Sequence, residues 1–307
     1  MPVSGLPLRV RWRLDGIEFN GPPDQSGREW VIEKETGWSA SPPVRDPQAH
    51  TRTAAHGAWP TSTYRDPRTI KLDGWVYAPT WETRRDAEHQ LAALCATPGQ
   101  LSELIVTEET GDLLAHVAQD DTTLITVQPG GHWLDFSLQL TAPDPRKYTA
   151  TEQTAETGLP SDSASGLDFA PGGGDGLDFA AGGGLGLDFG PQAVTGRATA
   201  TNSGTADTAP RLTLTGPLVR PITITRRDNG HHATYNSPLD DGETLVIDTS
   251  RRLVLLHGTS DRRHHATITD WDALTIPPRS TVDYALGNGG GPNSTARLTA
   301  AWRSAWW

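Results

Sequence analysis

Apolar and polar positions along the 307-residue chain mostly alternate with a period of two, and one stretch has helical spacing. That stretch runs from Arg68 to Gly99. Its first part, with Ile70, Leu72, Trp75 and Tyr77, reads as an extended segment interrupted by Gly74. Thr80 stands where an N-cap belongs, its hydroxyl able to accept from a free N–H of the first turn. Ala87, Leu91, Leu94 and Cys95 then recur at i, i+4, i+7 and i+8, one apolar stripe of a helix with Cys95 as a small buried hydrophobe. Arg84, Arg85, Asp86 and Glu88 fall on the other face, with Arg84 in reach of Glu88, and Pro98-Gly99 is expected to end the helix. Such a helix needs a surface for its stripe, and every neighbouring segment reads as strand. The expected class is mainly β: an N-terminal β-sandwich or barrel with one packed α-helix.

The alternation predicts the other elements in turn. Leu8 to Phe19 forms a hairpin turning at Asp15-Gly16, with Val10, Trp12 and Leu14 on one face. Glu29 to Glu35 is a strand, as are Leu101–Thr107, Gly111–Val117, Thr122–Val127 and Trp133–Thr141. Residues 37–67 are rich in Pro, Gly, Arg and Thr and lack a period. An irregular piece of that length inside a compact domain suggests an arm reaching a neighbour. From Val194 onward eight short strands are expected, at Arg197–Asn202, Arg211–Thr215, Pro221–Thr225, Thr244–Asp248, Leu253–Leu256, His264–Ile268, Ser280–Leu286 and Ala296–Trp302. Turn signals separate them, which suits a second β-sandwich of jelly-roll type.

Between the two lies sequence of another kind. GLDF occurs at 166–169, 176–179 and 186–189, joined by Gly-rich spacers. The organisation expected is a domain at 1–150, an insert or linker at 151–192 and a domain at 193–307. Two GGxGxD-like openings make Asp168, Asp178 and Asp188 weak calcium candidates, although calcium rolls repeat every nine residues and need more turns.

Charge narrows the partners. Of the net −11, residues 1–150 carry 14 basic and 20 acidic groups, 151–200 carry 1 and 7, and 201–307 carry 11 and 10. No segment is basic enough to coat a phosphate backbone, so nucleic acid is not an expected partner. No apolar run reaches a membrane-spanning length, and Met1-Pro2-Val3-Ser4 leads into charged sequence, so no secretory signal is expected.

Candidate chemistry is sparse. GxSxG, GxxxxGK[ST], HExxH and CxxC are all missing from the sequence. His231-His232 and His264-His265 are strand neighbours expected to point to opposite faces, so neither pair chelates a metal alone. Asp240-Asp241 and Glu108-Glu109 sit in turns, where carboxylates bond their own backbone. No catalytic residue, metal ligand set or cofactor is assigned. The aromatic candidates for a partner patch or a sugar-stacking platform are Trp271, Trp302, Trp306 and Trp307, the last two as exposed indoles.

Several stretches together resemble the distal tail protein (Dit) family of long-tailed bacteriophages. In the first half they are LDG (14–16), the Pro/Gly/Arg-rich excursion, IKLDGWVYAPTWETRRDAEHQLAAL (70–94) and LDFSLQLTAPDPRKY (134–148). In the second half they are Pro210 with TLTGP (213–217), GETLVIDTSRRLVLLHG (242–258) and WDALTIPPRSTVDY (271–284); the GLDF insert departs from the pattern. The resemblance implies a structural virion component at the tail tip, made in the bacterial host cytoplasm. N-terminal domains join as a homohexameric ring between the tail tube protein and the tail-tip or tail-associated baseplate hub protein. Galectin-like C-terminal sandwiches project outward, and no catalytic residue is carried over. Arg84, Arg85 and Glu88 of the helix, with Trp59 and Tyr64 of the arm, are the expected interface suppliers. The alternative is a carbohydrate-binding module contacting host cell-wall glycan through the four tryptophans.

Overall fold

The computed structural model describes residues 10–45, 52–56, 59, 63–160, 195–291 and 295–307. The GLDF repeats, with Asp168, Asp178 and Asp188, lie outside the described residues. Two compact units form, one from the chain up to Thr151 together with Ala305–Trp307, the other from Glu152–Ser304. The mainly-β reading holds in both.

The first unit holds β1 (Arg11–Leu14), β2 (Ile17–Phe19), β3 (Glu29–Thr36), β4 (Arg68–Tyr77), α1 (Trp81–Ala92), β5 (Ser102–Glu108), β6 (Gly111–Gln119), β7 (Leu124–Val127), β8 (Trp133–Ala142) and β9 (Lys147–Thr149). The antiparallel order is β2-β1-β5-β6-β8-β4-β3, with β7 added beside β8 and β9 beside β6. Asn20 draws the two ends of this order together. Its backbone N–H donates to the Trp30 carbonyl at 2.8 Å, and its Oδ1 accepts from the Ile32 N–H at 2.9 Å. The sheet therefore curls toward a barrel.

Alternation fills the interior: Trp12, Leu14, Phe19, Ile70, Leu72, Val76, Leu134, Phe136, Leu138 and Leu140 share one buried cluster. Asp15 (φ 45°) and Gly16 (φ 83°) make the tight turn between β1 and β2. Val10, expected on the buried face, is exposed, because it precedes the strand and its carbonyl is taken by the Asn20 side chain. Gly74 does not interrupt β4. The strand runs through it, and a Cβ there would meet the Val31 carbonyl and the Phe136 ring, so it marks a close approach.

The helix starts as expected. Thr80 Oγ1 accepts from the Thr83 N–H and Thr83 Oγ1 from the Thr80 N–H, both at 3.2 Å. Ala87, Leu91 and Leu94 join the core cluster. The helix stops at Ala92, ahead of Pro98-Gly99. The physical reason is Cys95, whose N–H leaves the helical path (φ 54°) and donates to Asp15 Oδ2 at 2.7 Å. Cys95 is half-buried rather than a core residue, and burial pushes its thiol pKa up.

The second unit is a β-sandwich built from β10 (Gln153–Thr157), β11 (Arg197–Asn202), β12 (Arg211–Thr215), β13 (Ile222–Arg226), β14 (His232–Tyr235), β15 (Thr244–Asp248), β16 (Leu253–Leu256), β17 (Ser260–Asp261), β18 (Ala266–Ile268), β19 (Ser280–Gly287) and β20 (Arg297–Trp302). One sheet has the order β10-β20-β12-β15-β16-β17, the other β11-β19-β13-β14-β18. Leu212, Leu245, Ile247 and Leu298 from the first meet Ile222, Ile224, Val282 and Tyr284 from the second in one core. The strand expected at His264–Ile268 begins only at Ala266, because Arg263–His265 form a 3₁₀ turn. Buried Arg226 pins a second 3₁₀ turn, Asp272–Leu274, to this core. Its Nη1 donates to the Ala273 and Thr275 carbonyls at 2.8 and 2.5 Å, and its Nε and Nη2 donate to the Asp228 carboxylate.

Leu91→Ala is expected to cost about 2–5 kcal/mol in a denaturant titration, the range for emptying a buried leucine site. Exposed Trp81→Ala on the same helix stays within about 0.5 kcal/mol of wild type. The hydrogen bonds from Arg226 hold the Asp228 carboxyl below the usual carboxylate range. A depressed folded pKa contributes stability above the unfolded value and loses it as pH falls through the folded one. The stability difference between wild type and Asp228→Asn is therefore expected to be constant above about pH 4 and to shrink below it.

Candidate functional site

The feature that departs most from regular structure is the excursion between β3 and β4, and its root is built around a buried cation. Arg68 lies at inward parity with Ile70 and Leu72, where the alternation calls for an aliphatic side chain. Its Nη1 donates to the carbonyls of Gly37 (2.6 Å), Trp38 (3.0 Å) and Ala40 (2.6 Å), and its Nε to that of Pro145 (3.0 Å). The irregular backbone leaves these carbonyls without ladder partners, and three guanidinium N–H groups are shared among the four, with the Lys147 ammonium also donating to the Trp38 carbonyl at 3.4 Å. Burial pulls the Arg68 pKa down, and nearby Glu35 opposes that.

Trp38 completes the root. Its ring is buried, edge-on to Trp12 at 5.5 Å, with the Lys147 ammonium 5.2 Å from its centroid. Its indole N–H donates to Glu108 Oε1 at 2.7 Å and its backbone N–H to Glu35 Oε2 at 3.1 Å. Burial also lowers the Lys147 pKa, with Glu108 opposing. Gly37 has φ 99°, and a Cβ there would run into the Thr69 carbonyl, so the exit from β3 requires glycine.

Beyond the root the two limbs of the excursion pair as a short stem. Val44 bridges Arg65, the Arg45 N–H donates to the Tyr64 carbonyl (2.8 Å), and the Asp66 N–H donates to the Pro43 carbonyl (2.9 Å). Arg45 and Asp66 form an ion pair at 2.9 Å, and Arg65 donates to Ser41 Oγ and the Pro42 carbonyl. Farther out the Arg52 guanidinium lies over Trp59 at 4.7 Å. Trp59 is 61 % exposed and Tyr64 66 %. The expectation that residues 37–67 as a whole lie on a neighbour is corrected at the root, where Trp38 sits in its own core and the stem is bonded to itself.

The other candidates are placed as follows. Arg84 and Glu88 are 3.6 Å apart and mostly covered, while exposed Arg85 donates to Glu88 at 3.0 Å. Asp86 is taken by Arg28 (2.6 Å) and Gln90 (3.0 Å). Trp302 is 7 % exposed, its indole N–H bonded to the Thr201 carbonyl at 2.8 Å. Trp271 is half-buried with Arg263 over its ring. Neither of the terminal indoles is fully exposed. Trp306, in the two-residue strand β21 (Ala305–Trp306), pairs with Lys147 and packs on the first unit's core, and Trp307 has the guanidinium carbons of Arg65 and Arg146 within 5.7 Å of its ring. The four tryptophans thus divide between the units, Trp271 and Trp302 in the second, Trp306 and Trp307 in the first.

The histidine pairs also stay apart. His232 meets Thr269 at one end of the β14–β18 ladder, and the His265 carbonyl meets Asn236 at the other. Among the described residues no three His, Cys, Asp or Glu side chains come close enough to hold a metal ion, and no helix is long and apolar enough to cross a membrane. What sequence reasoning missed is Arg68 and Lys147. The available signal was parity, since Arg68 shares a strand face with Ile70 and Leu72.

No protein-family model matches the chain, and no curated protein matches it. Among solved structures it is similar to the SPP1 Dit protein, described as a paradigm of the hub adsorption apparatus in phages infecting Gram-positive hosts. The match covers 97% of this chain and 100% of that one, with 12% identity and a TM-score of 0.62. It is also similar to chains of the phage P2 baseplate in its activated conformation, with calcium and with strontium, at 10% identity and a TM-score of 0.43, over 95% of this chain and 98% of those. The likeness to SPP1 Dit extends through both units, and the resemblance read from the sequence holds at the level of fold.

Arg68→Met is expected to destabilise the first unit by about 3 kcal/mol or more, because each buried carbonyl left without a donor costs about 1–3 kcal/mol. Limited proteolysis within residues 41–66 is expected to accelerate in parallel. Arg68→Lys does not restore wild-type behaviour, since a single ammonium cannot reproduce the fork.

Proposed function

We propose that the chain is a structural protein of a phage tail tip, a subunit that assembles with copies of itself and with neighbouring tail proteins and catalyses no reaction. The observation that carries this reading is a fold shared with a phage adsorption-hub protein over nearly the whole of both chains. In this reading the first unit forms a homohexameric ring between the tail tube protein and the baseplate hub protein, and the second projects outward in the virion.

A ring of identical subunits needs two different complementary surfaces on each copy. The braced stem, with Trp59 and Tyr64 exposed beyond a root fixed in its own core, is suited to supply one of them. Arg85 on α1 is a further candidate. A glycan-binding role for the second unit is not favoured, because Trp302 is buried and Trp271 is covered by Arg263.

Negative-stain images of the purified chain are expected to show six-fold rings, and isolated particles at every concentration overturn the reading. Replacing residues 46–62, Trp59 among them, by a short Gly-Ser turn with root and stem retained is expected to weaken the association seen by light scattering. Association of unchanged strength removes residues 46–62 from the interface and leaves the stem as the arm's contribution.

A further inference from the structure

Strand β7 has one paired and one bare edge. Its residues pair with Leu134–Ser137 of β8, and among the described residues nothing bonds the other side. The Gln128 N–H donates to the Trp133 carbonyl at 2.9 Å, which sets the phase of the ladder. Alternation then turns the backbone groups of Leu124 and Thr126 toward β8, and those of Ile125 and Val127 outward. Natural edges are blunted by charge, proline or a bulge. This one reads Thr-Thr-Leu-Ile-Thr-Val-Gln from Thr122 to Gln128, with none of these.

The side chains around the edge are apolar and uncovered. Leu124 is 63 % exposed, Val127 43 % and Trp133 41 %, the last packed edge-on to Trp75 at 4.8 Å. Register places Glu29, Asp73 and Asp135 on the same outward face, with Glu33 bonded to the Trp75 indole and Lys34 and Lys71 as the bases, Lys71 already paired with Asp73.

The complement is found on the same chain. In the stem the bonds that flank the Val44–Arg65 bridge leave the backbone N–H and C=O of Arg65 facing away from the partner limb. That limb carries exposed Tyr64, and Val44 beside it is exposed as well. Across residues 37–67 three arginines, Arg45, Arg52 and Arg65, stand against two aspartates, Asp46 and Asp66, a net charge of +1 opposite in sign to that of the β7 face. Among the described residues no hydrogen bond or ion pair joins the stem to β7 within one protomer.

We propose that the outer limb of the stem, residues 63–66, adds to the bare edge of β7 in a second copy of this chain, extending that copy's sheet by one strand. Pairing through the Arg65 backbone groups puts Tyr64 on the face of Leu124 and Trp133, and puts Arg65 and Val44 on the face of Val127. The contact is head-to-tail, as a ring requires, and it rests on the self-assembly proposed above.

The test is Leu124→Lys combined with Val127→Lys, two exposed positions whose change leaves the far-ultraviolet circular dichroism unaltered. Light scattering is expected to show association weakened at least tenfold relative to wild type. A second measurement uses a Cys95→Ser background carrying Tyr64→Cys and Leu124→Cys together. Oxidation is expected to give a ladder of linked chains on a non-reducing gel, and either cysteine alone to give none. If wild type assembles while the lysine variant assembles equally well, the β7 contact is wrong and the ring reading stands. If the lysine variant misfolds, absence of the ladder overturns the contact. A monomeric wild type overturns both.

Discussion

A single guanidinium, buried beside the exit of the first sheet, determines where the most irregular segment of this protein goes. Arg68 satisfies four carbonyls that no strand or helix can pair, and so lets the chain leave β3, run outward and return as β4. Without it those groups would have to face water, and the root would rise off the barrel. Arg226 does similar work in the second unit, holding the Ala273 and Thr275 carbonyls of an irregular turn. The two differ in their countercharge. Arg226 hydrogen-bonds the Asp228 carboxylate directly, while Arg68 is balanced at a distance by Glu35, which bonds the Trp38 backbone. Arg68 is therefore more dependent on the geometry around it, and so is the stem.

Much of this architecture is legible in the sequence because strand parity is a local property. Arg197–Asn202, Arg211–Thr215, Thr244–Asp248 and Leu253–Leu256 form strands with the bounds their alternation predicts, and the Thr80 cap starts the helix as its hydroxyl suggests. Contacts distant in sequence are where local reading fails. The helix ends early because Asp15, in a turn far back along the chain, takes the Cys95 N–H. Trp306 and Trp307 look exposed at a chain end, yet β21 closes on β9 and places them against the first unit. Short strands such as β9 and β17 exist only through their partners and carry too few residues to show a period. A charged residue at inward parity was the one local clue to the root, and it looks like an error of pattern until its acceptors are known.

The physical character of the site bears on what it does. Several carboxylates are engaged in structural hydrogen bonds: Asp15 accepts from the Cys95 N–H and the Ser102 hydroxyl, Asp24 from the Arg28 and Trp30 side chains, and Glu108 from the Trp38 indole. The first unit also presents a stem with exposed aromatics and a strand edge with exposed aliphatics. Surfaces of that kind gain stability by meeting another chain, as the proposed assembly requires.

Native mass spectrometry of the purified full chain addresses self-assembly most directly. A dominant species at six times the 33.0 kDa chain mass is expected, with loss of whole chains on activation. A spectrum containing only the 33.0 kDa species at all concentrations contradicts it.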